Sequence, residues 1–517
     1  MLSELFMDFS WVLKGFAKLR EAKLKHQDPK LTQEAQLRWL LGKAKDTEFG
    51  KEHNFSLIKS VSEYQSRVPL RVYEDFWNTY WKNSFPRVVN KTWPGLIPGY
   101  SWTSGTTSGK RKYIPYTEDL SRSYNKAGRD LLFFHVLNRP QSKVFGGKSF
   151  MLGGTTTLTK ESEGVYIGEV SGFSARNLPW WAKPFFFPPK ELSDIQDWIK
   201  RADAISQAIK GQDIRIIGGM PSWLLIFLER FSGEQEGLIH RLFPNLELFV
   251  HGGVKFDPYK KQYEKLLAGS KAEFREIYPA SEAFMAVADR GYGEGLRLCL
   301  DANIFYEFVP VEELGSDNPK RFWIDNIETD VNYAIVLSTC GGVWSYILGD
   351  TVRFIDKERV LITGRTSYAL SAFGEHLINE ELEKGISTAA DSIDRNVTDF
   401  TVAPEVSAKP GALGFHRYYV ELDRETTQYE KFRDTLDKTL KDLNDDYLDH
   451  RAENCGVFEP EVVFLKRHAF LEWMKSRGKL GDQHKVARVL SKDLAQDLAH
   501  FIKANGFEVF KVESLKY

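Results

Sequence analysis

The stretch Thr103-Ser104-Gly105-Thr106-Thr107-Ser108-Gly109-Lys110, followed by Lys112, Tyr113, Ile114 and Pro115, has the composition of an anion cradle. Small residues let backbone N–H groups approach a phosphate, hydroxyls add donors, and lysines add charge. It is not a Walker A loop, which needs four residues between its first glycine and a Gly-Lys-Ser/Thr. Here Gly105 and Gly109 are only four apart, and Lys110 is followed by Arg111. Composition alone favours an ordinary Ser/Thr/Gly surface loop. Eight small or basic residues in a row, ahead of a helix opening at Thr117 with Glu118 and Asp119 in its first turn, favour phosphate binding. Three later segments hold further groups that could do chemistry: Tyr278-Pro279-Ala280-Ser281-Glu282, Leu348-Gly349-Asp350, and Gln483-His484-Lys485-Val486-Ala487-Arg488. Each alone has a plain explanation, as a helix N-terminus, a turn between strands, or a solvated lysine.

The elements around these segments change character along the chain. Residues 1–90 read mainly as helix, with Leu31–Ala44 and Val72–Trp81 carrying apolar residues three and four apart. From about 100 to 300, strand, Gly-rich turn and helix repeat. Asp213–Ile217 leads through Gly218-Gly219 to a helix over Pro221–Phe231, and Leu246–Val250 leads through Gly252-Gly253 to one over Pro258–Leu267. Glu273–Tyr278 reads as a third such strand, its turn at Pro279-Ala280-Ser281-Glu282. This alternation predicts a mainly parallel sheet covered by helices. Between about 296 and 363 short β-rich runs, among them Val343–Tyr346 and Val352–Ile355, fit a small barrel or second sheet. Beyond Gly364-Arg365, a strand at Phe415–Leu422, a helix at Tyr429–Tyr447, a strand at Glu461–Leu465 and a helix at Ser491–Ala504 N-capped by Ser491 form a compact α+β tail. The predicted fold is α/β. A large N-terminal domain of α/β subdomains plus a small β-barrel spans 1–364, and a small mobile α+β domain spans 365–517, with a hinge at Gly364 and Arg365.

At 517 residues, three or four units of about 150 residues are expected, enough for a large core. Seventy Lys and Arg against 71 Asp and Glu give a net charge of −1, which argues against a general nucleic-acid binder. Cys299, Cys340 and Cys455 are scattered with no CxxC pair, the pattern of reduced thiols in the cytosol. Leu2, Leu5, Phe6, Phe9, Leu13 and Phe16 stand at helical spacing, interrupted by Glu4 and Asp8; this is an amphipathic helix and not a signal peptide. The run Trp223–Leu228 is too short to cross a bilayer. A soluble, cytoplasmic chain with no membrane insertion is expected.

Taken in order, these segments resemble the acyl-adenylate-forming superfamily of acyl-CoA synthetases, luciferases and peptide-synthetase adenylation domains. Within it the pattern is similar to the auxin-responsive acyl acid–amido synthetase family, of bacterial type. Pro69 with Tyr73-Glu74-Asp75, Thr103–Pro115, the Tyr-x-Ala-Ser-Glu run, Tyr346-x-Leu-Gly-Asp350 and the closing Gln-x-Lys-x-x-Arg carry the resemblance across nearly the whole chain. Gly364-Arg365 through Gly374-Glu375 is similar to the superfamily's hinge-crossing segment.

The resemblance implies a carbon–nitrogen ligase that uses ATP and Mg²⁺. A carboxylate would attack the α-phosphate to give acyl-AMP and pyrophosphate, and an amine, typically an amino acid, would then take the acyl group. Lys112 with Ser104, Gly105, Thr106, Thr107, Ser108 and Gly109 would cradle the β- and γ-phosphates, and Glu282 would hold Mg²⁺. Asp350 would accept both ribose hydroxyls. Tyr278 with Gly252 and Gly253 would line the adenine, Ala280 and Ser281 would complete the nucleotide site, and Lys485 would enter from the C-terminal domain to neutralise the α-phosphate. Ser222 and Trp223 stand where the family lines its acyl site; a core helix explains them equally well. Gly153–Thr157 lacks the adjoining basic pair of a second phosphate loop, and His251 reads as a packed histidine.

The chain departs from the family's pattern at Ser345 and Ile347, where plant relatives carry arginines, at Pro279 in place of Gly, and at Ala487 in place of Pro. These changes spare the groups that phosphate chemistry needs and leave both specificity pockets open. Two other readings are an acyl-CoA ligase using the same adenylate chemistry and a catalytically silent nucleotide-binding regulator.

Overall fold

A computed structural model describes residues 8–103, 112–153, 156–178, 180, 182–195, 197–231, 236–253, 256–366, 377–406, 414–451, 457–479 and 485–514. The chain divides into two compact units. Among the described residues, the first holds those up to 103, 112–253 and 266–362, while the second takes in 256–265 and those from 363 onward. Assigning the helix segment 256–265 to the second unit has no counterpart in the sequence pattern.

The strands, in chain order, begin with β1 (Gly99–Thr103), β2 (Lys112–Pro115), β3 (Lys148–Leu152), β4 (Thr159–Ser162), β5 (Val165–Gly168), β6 (Phe186–Phe187), β7 (Ile214–Gly219), β8 (Leu248–Gly252) and β9 (Glu273–Pro279). Then come β10 (Phe284–Val287), β11 (Leu296–Leu298), β12 (Ile304–Pro310), β13 (Phe322–Trp323), β14 (Asn332–Thr339), β15 (Tyr346–Asp356) and β16 (Arg359–Arg365). The tail adds β17 (Val397–Val406), β18 (Gly414–Leu422), β19 (Glu461–Leu465) and β20 (Glu508–Val512).

One sheet takes the order β13-β12-β14-β15-β16-β11-β10-β9-β8-β7-β3-β6. From β6 to β9 its neighbours are parallel, as the strand–helix alternation predicts. At β9 the chain turns straight back into β10, and the pairs β9–β10, β10–β11, β11–β16, β12–β13, β12–β14 and β14–β15 are antiparallel. Two expectations are corrected here. No helix follows β9, because Ala280 N–H donates to the Ala283 carbonyl at 2.8 Å and closes a hairpin. The short strands over 296–363 extend the parallel sheet and do not stand apart as a small barrel, because β11 pairs with both β10 and β16. A third correction concerns Gly218-Gly219, which are the last residues of β7 and not a turn. A Cβ on Gly219 would lie 2.7 Å from the Leu152 carbonyl oxygen, so only glycine allows β3 and β7 to approach there.

Local signals set the helix starts. Thr117 Oγ1 accepts from Leu120 N–H at 3.0 Å and donates to the Cys340 carbonyl at 2.6 Å, fixing the helix Glu118–Asn138 to the sheet. The helix Ser10–Lys25 packs on it through Leu13 and Ala17, both buried. Val72–Trp81 is helical but changes from α over Tyr73–Phe76 to π over Trp77–Trp81. In the second unit, β17-β18-β19-β20 form a four-stranded sheet. Phe432, Leu436 and Leu440 of the helix Tyr429–Leu443 join one core cluster, and Trp473 and Leu498 join another. Ser491 takes the N-cap position of Lys492–Asn505, but its side chain makes no capping hydrogen bond. Cys299 and Cys340 are buried free thiols, and Cys455 lies outside the described residues. Among the described residues no helix is long and apolar enough to cross a membrane.

Candidate active site

The carboxyl ends of the parallel strands are where an open α/β sheet places a ligand crevice. Gly252 ends β8 in register with Ile277 of β9. A Cβ there would lie 2.5 Å from the Ile277 carbonyl oxygen, and Gly253 follows at φ +82°. Glycine at both positions lets the backbone turn tightly beside Tyr278. Tyr278 is the penultimate residue of β9, with its ring buried. Pro279 then pairs with Phe284 across the hairpin, placing Ala280, Ser281 and Glu282 in its turn. Ser281 and Glu282 are buried despite their polarity. Glu282 is one of the charges that, with burial as the dominant cause, hold the Tyr124 phenol well above its ordinary range.

Asp350 belongs to β15, which is one continuous strand and not two strands joined by a Gly-Asp turn. The register with β14 jumps from Val336↔Ile347 to Ala334↔Thr351, so Leu348-Gly349-Asp350 form a β-bulge. Gly349 supplies the φ of +91° that the bulge requires. This bulge re-aims Asp350 so that its Oδ2 accepts a hydrogen bond from Tyr278 Oη at 2.9 Å. Two segments 72 residues apart are thereby joined.

The phosphate-loop candidate connects to the same place through a residue that the sequence pattern did not single out. The Ser101 hydroxyl on β1 lies 3.2 Å from that of Ser281, in a buried contact. Two residues on, Thr103 pairs with Lys112 of β2. Lys112 Nζ stands 5.3 Å from the centroid of the Tyr73 ring and 4.0 Å from Glu74 Oε1. Tyr73 Oη accepts from Tyr113 N–H at 2.9 Å. Ser104, Gly105, Thr106, Thr107, Ser108 and Gly109 lie outside the described residues.

Behind Asp350, Ser345 has φ +43° and is held from every side. Arg321 Nη2 donates to its Oγ at 2.7 Å, Ser345 Oγ donates to Glu307 at 2.9 Å, and Ser345 N–H donates to Ser338 Oγ at 2.9 Å. A guanidinium thus reaches Ser345 from 24 residues away in the sequence. Arg71 also pairs its backbone with this strand, donating to the Ser345 carbonyl and accepting from Ile347 N–H.

Other candidates sit elsewhere. Trp223 is buried with its ring 5.1 Å from that of Trp198, and the side chain of Ser222 is outside the described set. Met220, three residues earlier in the chain, is nearer the crevice, with its Cε 3.7 Å from the place a Cβ on Gly253 would take. Burial pushes the His251 imidazole down to about 3, so it is neutral and packed. Thr156 and Thr157 donate to Asp194 at 2.8 and 3.1 Å, a carboxylate that makes this loop inhospitable to phosphate.

Lys485, Gly364 and Arg365 belong to the second unit. Gly364 has φ +154°, and a Cβ there would lie 2.7 Å from that of Asn379. Three residues after Lys485, Arg488 is buried. It donates to the Phe400 carbonyl at 2.7 Å and to Asp399 and Glu383. Its backbone carbonyl accepts from Val402 N–H at 2.8 Å, tying the Lys485 segment to β17.

Three domain descriptions of one family match this chain. The GH3 family N-terminal domain matches residues 18–205, the central domain 297–359 and the C-terminal domain 380–493. An indole-3-acetic acid-amido synthetase, GH3.3 of Arabidopsis thaliana, is 21% identical over 88% of each chain. A jasmonoyl–L-amino acid synthetase, JAR4 of Nicotiana attenuata, is 22% identical over 76% of this chain and 79% of its own. Among solved structures, the GH3.15 acyl acid amido synthetase superposes with a TM-score of 0.80 at 18% identity, covering 97% and 98% of the two chains. A 2-hydroxyisobutyryl-CoA ligase in the postadenylation state gives 0.60 at 13% identity, covering 91% of each.

Proposed function

Because the chain belongs to the GH3 family, we propose that it is an ATP-dependent acyl acid–amido synthetase working through an acyl adenylate. The observation that carries this reading is the Tyr278–Asp350 hydrogen bond, which places an aromatic ring and a carboxylate together at the carboxyl end of the parallel strands. Tyr278 with Gly252 and Gly253 lines the adenine, Ala280 and Ser281 flank it, and Asp350 accepts the ribose hydroxyls. Lys112 and the segment Ser104–Gly109 hold the β- and γ-phosphates.

A site for Mg²⁺ fits the residues present. Among the described residues there is no cluster of three or more metal-ligating side chains. One buried carboxylate, Glu282, suits an ion that keeps its waters and takes its other ligands from phosphate. When bound, the ion supplies positive charge at the phosphates.

In the first step an ionised carboxylate oxygen attacks the α-phosphorus, an O–P bond forms, and the α–β bond breaks as pyrophosphate leaves. No base is needed, because the acid is already ionised at neutral pH. Lys485 neutralises the charge gathering on the α-phosphate. The second unit then rotates about Gly364 and Arg365. An amine attacks the acyl carbon, loses its proton to solvent and displaces AMP.

An AMP-release assay tests the reading. Turnover should be faster with an amino acid acceptor than with coenzyme A, the reverse marking the thioester-forming alternative. A charge-assisted hydrogen bond is worth about 1.5–3 kcal/mol, so Asp350→Ala should raise the KM for ATP about tenfold or more. An unchanged KM assigns Asp350 a purely structural role.

A further inference from the structure

The helix Ser10–Lys25 is amphipathic twice over. Its inward face is locked in place: Leu13 and Ala17 are buried, and Arg20 donates to Asp130 and Asp301 at 2.6–2.9 Å. The helix therefore cannot roll to hide its other side. That outward side carries Trp11, Phe16 and Leu19 at 71%, 60% and 71% exposure. At 100° per residue these three spread over a broad sector that also holds Val12, Gly15, Ala22 and Lys23. Lys14 and Lys18 border the sector and have no carboxylate partner among the described residues.

Between Ser10 and Lys25 there are five basic residues and one acid, Glu21, in a chain whose net charge is −1. Large apolar side chains flanked by lysines on an exposed helix face match the pattern of a helix lying in a lipid interface, where Trp sits at headgroup level. The helix has 16 residues, so it is about 24 Å long against a hydrocarbon core of about 30 Å, and it lies on a bilayer without crossing it. A second copy of the chain fits this face poorly, since two such faces would oppose lysine to lysine.

We propose that the outward face of Ser10–Lys25 docks the protein on an anionic lipid bilayer through Trp11, Phe16 and Leu19, with Lys14 and Lys18 reading the headgroup charge. The test is sedimentation of the full chain with vesicles of phosphatidylcholine alone or containing about 30 mol% phosphatidylserine, at about 0.1 M salt. Wild type should partition onto the anionic vesicles at least about tenfold more strongly than onto the neutral ones. Phe16→Ser with Leu19→Ser, and separately Lys14→Glu with Lys18→Glu, should each weaken that binding about tenfold or more. Phe16, Lys18 and Leu19 are exposed and Lys14 is half-buried on the flank of the helix, so the melting temperature of each variant should match wild type. Equal partition onto both vesicles, no binding to either, or anionic binding that survives both pairs of substitutions overturns the proposal. So does a dimer of the free protein that Phe16→Ser with Leu19→Ser dissociates without any vesicle binding by wild type.

Discussion

Lys485→Ala should cut carboxylate-dependent pyrophosphate release by about 10²–10³-fold, the usual loss when one preorganised charge is withdrawn from a transition state. Amide formation from preformed acyl-AMP should stay within about threefold of wild type, because the α-phosphate charge at issue develops only in the first step. Adenylation passes through a charge-rich phosphoryl transition state, whereas aminolysis only needs AMP to leave. Lys485 is half-buried, and its neighbours Ala487 and Arg488 are bonded through their carbonyls to Thr401 and Val402, so truncating the lysine leaves its segment in place. The two half-reactions are read separately by radiolabelled pyrophosphate and by amide product. Equal loss of both would remove Lys485 from its assigned role and make it a general anchor of the second unit.

Arg488→Met should lower the melting temperature of the second unit by roughly 6–20 °C, from about 3–5 kcal/mol for stripping the partner from buried carboxylates. Arg488 is buried against the Phe400 ring at 4.3 Å, and Glu383 is buried beside it. Burial acts to lower the Arg488 pKa, but the carboxylates of Asp399 and Glu383 outweigh it and hold the guanidinium well above its usual value. Adding Glu383→Gln and Asp399→Asn to Arg488→Met should restore part of the loss, since the orphaned charges go with their partner. A melting temperature within about 2 °C of wild type for Arg488→Met would show that the cluster carries no such penalty.

These two residues, three apart in one motif, show what the sequence made legible. The type and order of the candidate groups were readable because each depends on a short spacing: the Ser/Thr/Gly run before Lys112, Tyr278 through Glu282, Leu348-Gly349-Asp350, and Lys485 before Arg488. The parallel half of the large sheet was readable because β7 and β8 alternate with helices at regular intervals. What escaped depends on pairing between distant residues. The bulge at Leu348–Asp350 exists only in register with Ala334 and Val336. The hairpin at Ala280–Ala283 looked like a helix start, because Ser-Glu serves both. Ser101 reaches Ser281 across 180 residues, and Arg321, the residue before β13, reaches Ser345, with no local pattern to announce either. The barrel expected over 296–363 failed for the same reason, since short strands do not reveal which edge they join.

The most direct test of the central claim is carboxylate-dependent ATP–pyrophosphate exchange, measured with no amine present across a panel of aryl, indole and fatty acids. Adenylation predicts exchange with at least one acid and none without acid, and the responding acid names the acyl class. An absence of exchange across the panel, in protein that binds ATP, would contradict the assignment and leave a nucleotide-binding regulator as the better description of this fold.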